Sequence, residues 1–205
     1  PAARGPVLAC VDPRLRPRAQ ADGPGMLRAR MALATAEPAR GSRLALTAIV
    51  TAASLALDLW SKAWAWDTLR DAPGWIVQKG LLHFEFAFNT GSAFGFLRDA
   101  SWSRLFFIAI TVAALIYLAR LAQTLPTRGR AAFVAIGLIA GGALGNLWDR
   151  LFRVYEGAYG VVDFIVVFYW PGHRWPAFNI ADAVLVAGVI LFLLVLPKSD
   201  APAKP

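Results

Sequence analysis

Four aspartates stand where aspartates are costly. Asp58, Asp149 and Asp182 border long apolar runs, and Asp163 sits in VVDFIVVFY beside Val162 and Phe164 with no basic neighbour in sequence. Ionisable residues in such surroundings point to function by default. Two carboxylates that share one proton can hydrolyse a peptide bond. The ionised one takes a proton from water, while the protonated one polarises the carbonyl and then serves the leaving nitrogen. Burial beside hydrocarbon favours the shared state, because it raises carboxylate pKa and like charges at one level cannot all ionise. Other nucleophile chemistries are weaker. Ser61 and Lys62 are adjacent and so point to different sides of a helix, and the chain has no G-x-S-x-G elbow, H-E-x-x-H or Walker loop. A single Cys (Cys10) excludes an intramolecular disulfide, and with two His (His83, His173) it argues against a zinc site; no metal is expected.

Each candidate also has a quieter reading. Asn179 with Asp182 three residues on has the pattern of a helix capping box. Asp149 beside Arg150 could be an interfacial ion pair, and Asp58 with Lys62 at i,i+4 could neutralise each other. Gly141 and Gly145 form a small-xxx-small pair, which suits close helix packing.

The elements that must position these residues are membrane spans. Of the 205 residues 58% are hydrophobic and 17% charged, and mean hydropathy is +0.51. That leaves too little polar surface for a water-soluble globule and excludes a disordered chain. Uncharged runs cover 44–57, 105–119, 131–148 and 183–197. A span needs about 20 residues, so each must extend past a bounding charge. The expected spans are 43–62, 103–121, 131–150 and 179–197.

Short-loop charge sets their direction. The connection after span two carries Arg128 and Arg130 beside Arg120 with no acid, and eight arginines precede residue 44. The N-terminus, this loop and the tail 198–205 are therefore expected in the cytoplasm, and topology accounts for the net charge of +8 without nucleic acid. Spans one and three then run outward and span four begins outside, so Asp58, Asp149 and Asp182 share the outer level with Asp163. Residues 1–42, rich in Arg, Ala and Pro, read as a disordered arm. Segment 63–102 should hold a hairpin or small sheet, because Leu82, Phe84, Phe86 and Phe88 share a face at period two before the turn Asn89-Thr90-Gly91. Segment 151–178, with Tyr155, Tyr159, Tyr169, Trp170 and Trp175, should lie against the bilayer surface.

Five blocks in order, DLWSK (58–62), FNTGSAFGFL (88–97), GGALGNLWDRL (141–151), VVDF (161–164) and PAFNIADAVLVAG (176–188), closely resemble the signatures of the lipoprotein signal peptidases, the type II signal peptidases of bacterial inner membranes. The resemblance implies an all-α membrane protein of four transmembrane helices with a small extracytoplasmic β-sheet and a membrane-surface flap, the latter in 151–178. It implies an aspartyl endopeptidase that cleaves before the diacylglyceryl-modified cysteine of prolipoproteins, using no cofactor. By position in the blocks the catalytic pair would be Asp163 and Asp182. Supporting residues would be Asp58, Lys62, Asn89, Gly91, Asn146, Asp149, Arg150, Asn179 and Ala181. Asn146 and Asn179 would hold the substrate backbone, and Arg150 either Asp149 or a neighbouring carbonyl. Partners would be the lipid-modified substrate and membrane lipid, with the enzyme acting as a monomer. Ser61, Ser92 and Ala183 depart from the commoner Thr, Ala and Ser, and FRVYEGAYG is longer than in many relatives. From the residues alone, a small proton-coupled transporter or scaffold and an intramembrane protease of other substrates remain open. Relays usually spread their acids through the bilayer depth, which separates the first of these.

Overall fold

The computed structural model describes residues 40–91, 102–126 and 129–195. The arm before Arg40, Ser92 and the rest of its block, and the tail lie outside the described residues. Among the described residues there are four helices: α1 (Arg40–Leu69), α2 (Ser103–Thr124), α3 (Ala131–Phe152) and α4 (Ile180–Val195). Pro73 and Pro126 follow the first two, where a ring without an N–H cannot extend a helix. The first three are long and apolar enough to cross a membrane. α4 has 16 residues, about 24 Å at 1.5 Å per residue, against a hydrocarbon core of about 30 Å.

Small residues set the packing. On α3 Gly137, Gly141 and Gly145 repeat at i, i+4 and i+8, and they meet Val50, Ser54 and Asp58 of α1 in that order. The contacts rise together along both chains, so α1 and α3 are parallel. Thr47 Oγ1 donates to Phe133 O at 3.0 Å and Thr51 Oγ1 to Gly137 O at 3.3 Å across the same seam. Gly142 meets Ala181 and Leu185, whereas Gly188 meets Ala135 and Ile139, so α4 runs antiparallel to α3. The start of α1 lies at the end of α2, where Arg40 Nη1 donates to Leu125 O at 3.1 Å. These directions bring Asp58, Asp149 and Asp182 to one end of the bundle.

A side chain at Gly145 would strike the Asp58 carboxylate. Asp58 is wholly buried and cannot yield. Gly145→Ala should therefore cost about 1–3 kcal/mol, the usual range for overpacking, read as a lower unfolding temperature in detergent. Gly129→Ala, which meets nothing within 4 Å, should leave that temperature unchanged.

Among the described residues six strands form two sheets: β1 (Trp75–Gln78), β2 (Leu82–Asn89), β3 (Val154–Tyr155), β4 (Ala158–Tyr159), β5 (Val161–Trp170) and β6 (His173–Arg174). The larger sheet has the antiparallel order β1-β2-β5-β6, and β3 pairs with β4 across Glu156 and Gly157, both at positive φ. Phe84, Phe86 and Phe88 do share a face. They pack on Trp64 and Trp66 of α1 around buried Ala65, Leu69, Val162 and Phe164, with edge-on ring pairs at 5.6 Å for Trp64–Phe84 and 5.8 Å for Trp66–Phe86. This aromatic layer keeps α1 helical past the expected end at residue 62, out to Leu69, because its last turns are buried against the sheet. The arm expected to reach residue 42 gives way to helix by Arg40. Segment 151–178 is not one flap. Its centre, β5, pairs antiparallel with β2 inside the larger sheet, and its first four residues are buried on both faces.

Candidate active site

Four elements carry the acids, and Asp58 comes from α1. β5 offers Asp163, whose partner across the sheet is Ala87 of β2. The first turn of α4 offers Asp182, and the last turns of α3 offer Asn146, Asp149 and Arg150. Asp163 is 4% exposed, Asn146 8%, and Asn179, Asp149, Asp58 and Lys62 are fully buried, while Asp182 is partly exposed.

Three asparagines aim amide N–H groups at the two carboxylates. Asn179 Nδ2 donates to Asp163 Oδ1 at 2.7 Å, Asn89 Nδ2 to Asp163 Oδ2 at 3.1 Å, and Asn146 Nδ2 to Asp182 Oδ1 at 2.8 Å. The orientation of each amide is settled by its oxygen. Asn146 Oδ1 accepts from Lys62 Nζ at 2.8 Å, and an ammonium can only donate. Asn179 Oδ1 accepts from the Asp182 N–H at 3.0 Å, and Asn89 Oδ1 from the Gly91 N–H at 3.0 Å. Gly91 holds φ at 120° for that bond, a conformation other residues rarely adopt. Asn179 N also donates to Asp182 Oδ2 at 3.2 Å, which closes the capping box expected from the sequence. Asn179 thereby touches both aspartates. Its amide is fully spent inside the protein, on Asp163, Asn146 Oδ1 and Val162 O. The expectation that it holds substrate backbone gives way to a positioning contact.

Beneath this layer lies a buried ion cluster. Lys62 Nζ is 2.8 Å from Asp58 Oδ2 and 3.5 Å from Asp149 Oδ2. The Asp58 contact is an ion pair of good distance but poor hydrogen-bond direction, since Asp58 Oδ2 has no directional partner. Asp58 Oδ1 accepts from the Ala181 N–H at 2.8 Å, so Ala181 contributes its backbone. Asp149 accepts from the Val162 N–H at 3.1 Å and from Arg153 Nε at 2.8 Å. Arg150 does not hold Asp149. Its guanidinium bonds the Asn146 carbonyl at 3.3 Å and lies 5.1 Å from the Phe107 ring centre. Of the two partners open to Arg150 in the sequence, the carbonyl is the one used. Arg153 stands at i,i+4 from Asp149, the helical spacing at which side chains meet, whereas the adjacent Arg150 points elsewhere. Arg104 carried no local signal: it donates to Arg150 O at 2.8 Å from 46 residues away and stacks 3.5 Å from the Tyr159 ring centre.

Burial pushes the Asp163 carboxyl up from the ordinary 3.8 to about 7, and the charge of Asp182 adds to the rise; donation by Asn89 and Asn179 and the charge of Lys62 pull the other way. Two clefts open on the pair. One, of about 370 Å3, lies between α2, α3 and α4, walled by apolar side chains such as Phe107, Ile110, Ile139 and Leu185, and reaches Asn146, Arg150 and Asp182. The other, of about 330 Å3, lies on the sheet face that carries Glu85, Ala87 and Asn89 and reaches Asp163. A carboxyl near neutrality beside a second carboxylate, between an apolar and a polar cleft, is suited to acid–base hydrolysis of an amphiphile.

Comparison with known proteins adds independent findings. Residues 50–197 match the family model described as signal peptidase (SPase) II. The lipoprotein signal peptidase of Geobacter metallireducens is 41% identical over 152 residues, covering 74% of this chain and 90% of that protein. The one from Serratia marcescens is 39% identical, covering 64% and 81%. A solved bacterial membrane enzyme, determined by the in meso method at 2.3 Å resolution, superposes with a TM-score of 0.64 at 31% identity, covering 77% of this chain and 91% of that one.

Proposed function

This chain belongs to the signal peptidase II family, and on that premise we propose that it removes signal peptides from lipid-modified bacterial prolipoproteins by aspartic hydrolysis at Asp163 and Asp182. The observation that carries the mechanism is the pair of carboxylates joined through Asn179 and each held by asparagine N–H donors. Protonated Asp163 donates a hydrogen bond to the scissile carbonyl oxygen. Ionised Asp182 takes a proton from a water as its oxygen attacks the carbonyl carbon. The C–N bond then breaks while that proton passes to the leaving nitrogen, and the pair again shares a single proton. Lys62 acts from below by anchoring Asn146, and Asp58 and Asp149 balance its charge.

The reading extends to the membrane. We place α4 as the fourth span, the termini in the cytoplasm of a bacterium with the protein in its inner membrane, and the aspartates near the outer leaflet. One copy suffices, because both acids come from one chain. In support, Arg40 at the start of α1 donates to Leu125 O at the end of α2, the helix that carries Arg120 near that end, and this is the bundle end away from the aspartates. Exposed Ile116, Leu193 and Leu194 suit contact with lipid tails. Lateral diffusion of an anchored substrate then supplies the proximity gain. Purified enzyme should cleave a diacylglyceryl-modified precursor peptide and spare its unmodified counterpart; cleavage of both would make it a general protease, and cleavage of neither would end the proposal.

The pH dependence follows from Asp163. Loss of its proton removes the acid, so activity should fall along an alkaline limb with an apparent pKa of about 7. Asn89→Ala deletes a donor to the charged form, which raises the carboxyl further and moves that limb to higher pH. A limb that stays in place in a pH–rate profile would remove Asn89 from the site. Stability has the matching sign. Between 3.8 and about 7 the folded chain binds the extra proton, so stability falls as pH rises through that window.

A further inference from the structure

Resting on the peptidase reading, we propose that the polar cleft on the sheet is the subsite for the first residues after the modified cysteine, and that Arg174 sets a charge preference there. The argument begins with strand alternation. Phe84, Phe86 and Phe88 are committed to the aromatic layer on α1, so Glu85, Ala87 and Asn89 face the other way and form a shelf. Asn89, at one end, donates to Asp163 Oδ2. Ala87, in the middle, is paired with Asp163 across the sheet, and its methyl leaves room beside that carboxylate. Glu85, at the other end, accepts from Arg174 Nη1 at 2.9 Å.

The two clefts that meet at the aspartates differ in lining as the two halves of the substrate differ in solubility. The helix cleft is apolar and suits lipid and signal segment. The shelf carries carboxylate, amide and guanidinium groups beside apolar edges such as Val166 and Pro176, and it lies outside the bundle, so it suits the water-soluble chain that follows the scissile bond. With about 330 Å3 it holds a short extended segment.

Arg174 is the cation among the residues lining the shelf, and it draws acidic residues into that segment. Glu85 is held from two sides, by Arg174 and by His83 Nδ1 at 3.3 Å. Arg174 lines the shelf with a side chain 59% exposed, and a guanidinium has more N–H donors than the one spent on Glu85.

The test uses full-length enzyme in detergent–lipid micelles and diacylglyceryl-modified precursor peptides with Asp, Asn or Lys at the second and third positions after the modified cysteine. Wild type should prefer Asp to Lys in kcat/KM. Arg174→Glu should reverse the order, moving the ratio by about tenfold, the sum of several sign changes each worth a partly exposed ion pair. Arg174→Gln should fall between the two and serves if the reversal variant fails to fold. Arg120→Glu, the same charge change on exposed helix surface, controls for bulk electrostatics and should leave the ratio unmoved. An Asp-to-Lys ratio equal in wild type and both Arg174 variants would overturn the subsite while cleavage continued; absence of any cleavage by wild type would instead strike the peptidase reading.

Discussion

Asp163→Asn and Asp182→Asn should each lower turnover of a lipid-modified precursor by about a thousandfold or more, the scale on which a general acid or base is lost. Amide and carboxyl have the same shape, so the fall reports chemistry, not a hole in the site. Structure does add a cost, however. Each oxygen of Asp163 accepts an N–H, from Asn179 and from Asn89, and those of Asp182 accept from Asn146 and from the Asn179 backbone. An amide nitrogen at either position meets one of these donors with another donor, a mismatch worth about 1–3 kcal/mol. The variants should therefore unfold several degrees lower and yet remain folded and membrane-inserted at assay temperature. Near wild-type turnover by either purified variant would remove that aspartate from the mechanism.

The largest stability effect is expected at Lys62. Its ammonium is fully buried among Asn146 Oδ1, Asp58 and Asp149, and it is the cation that lies between the two acids. Lys62→Met leaves two buried carboxylates facing each other without it. Stranding one partner of a buried ion pair costs about 3–5 kcal/mol, on the order of 10 °C in unfolding temperature for a chain of this size. Activity should fall as well, because Asn146 loses the donor that fixes its orientation and hence the N–H aimed at Asp182. Adding Asp58→Asn to Lys62→Met should recover part of the stability, since the two residues are coupled. Thermal unfolding of the wild type, both single variants and the double variant in one detergent measures that coupling. Simple additivity would mean that the cluster is not acting as a unit.

Much of the bundle was legible because the signals are local. Apolar runs, the glycine repeat of α3 and the capping box at Asn179 each lie within a few residues of sequence, and their geometry follows from helical periodicity. The face of β2 was equally plain, since Phe84, Phe86 and Phe88 alternate with polar or small residues. By contrast, the length of α1 depended on a layer of rings contributed by β2 and β5, far along the chain. The fate of 151–178 depended on β2 being available as a partner for β5. Asp149 was matched to the adjacent Arg150, and only packing reveals that Arg150 turns toward Phe107 while Arg153 comes round the helix to take the carboxylate.

By itself, then, the order of residues determined that alternating helix directions carry Asp58, Asp149 and Asp182 to one end, because hydrophobicity and helical rise act residue by residue. Tertiary structure alone decided how those acids are held. It set Asp163 opposite Ala87 through strand register, turned three asparagine amides by giving each oxygen a fixed donor, and buried one lysine between two aspartates. Such choices depend on rotamers meeting across separations such as the 84 residues from Lys62 to Asn146, where the energy of each contact exists only once every other partner is in place.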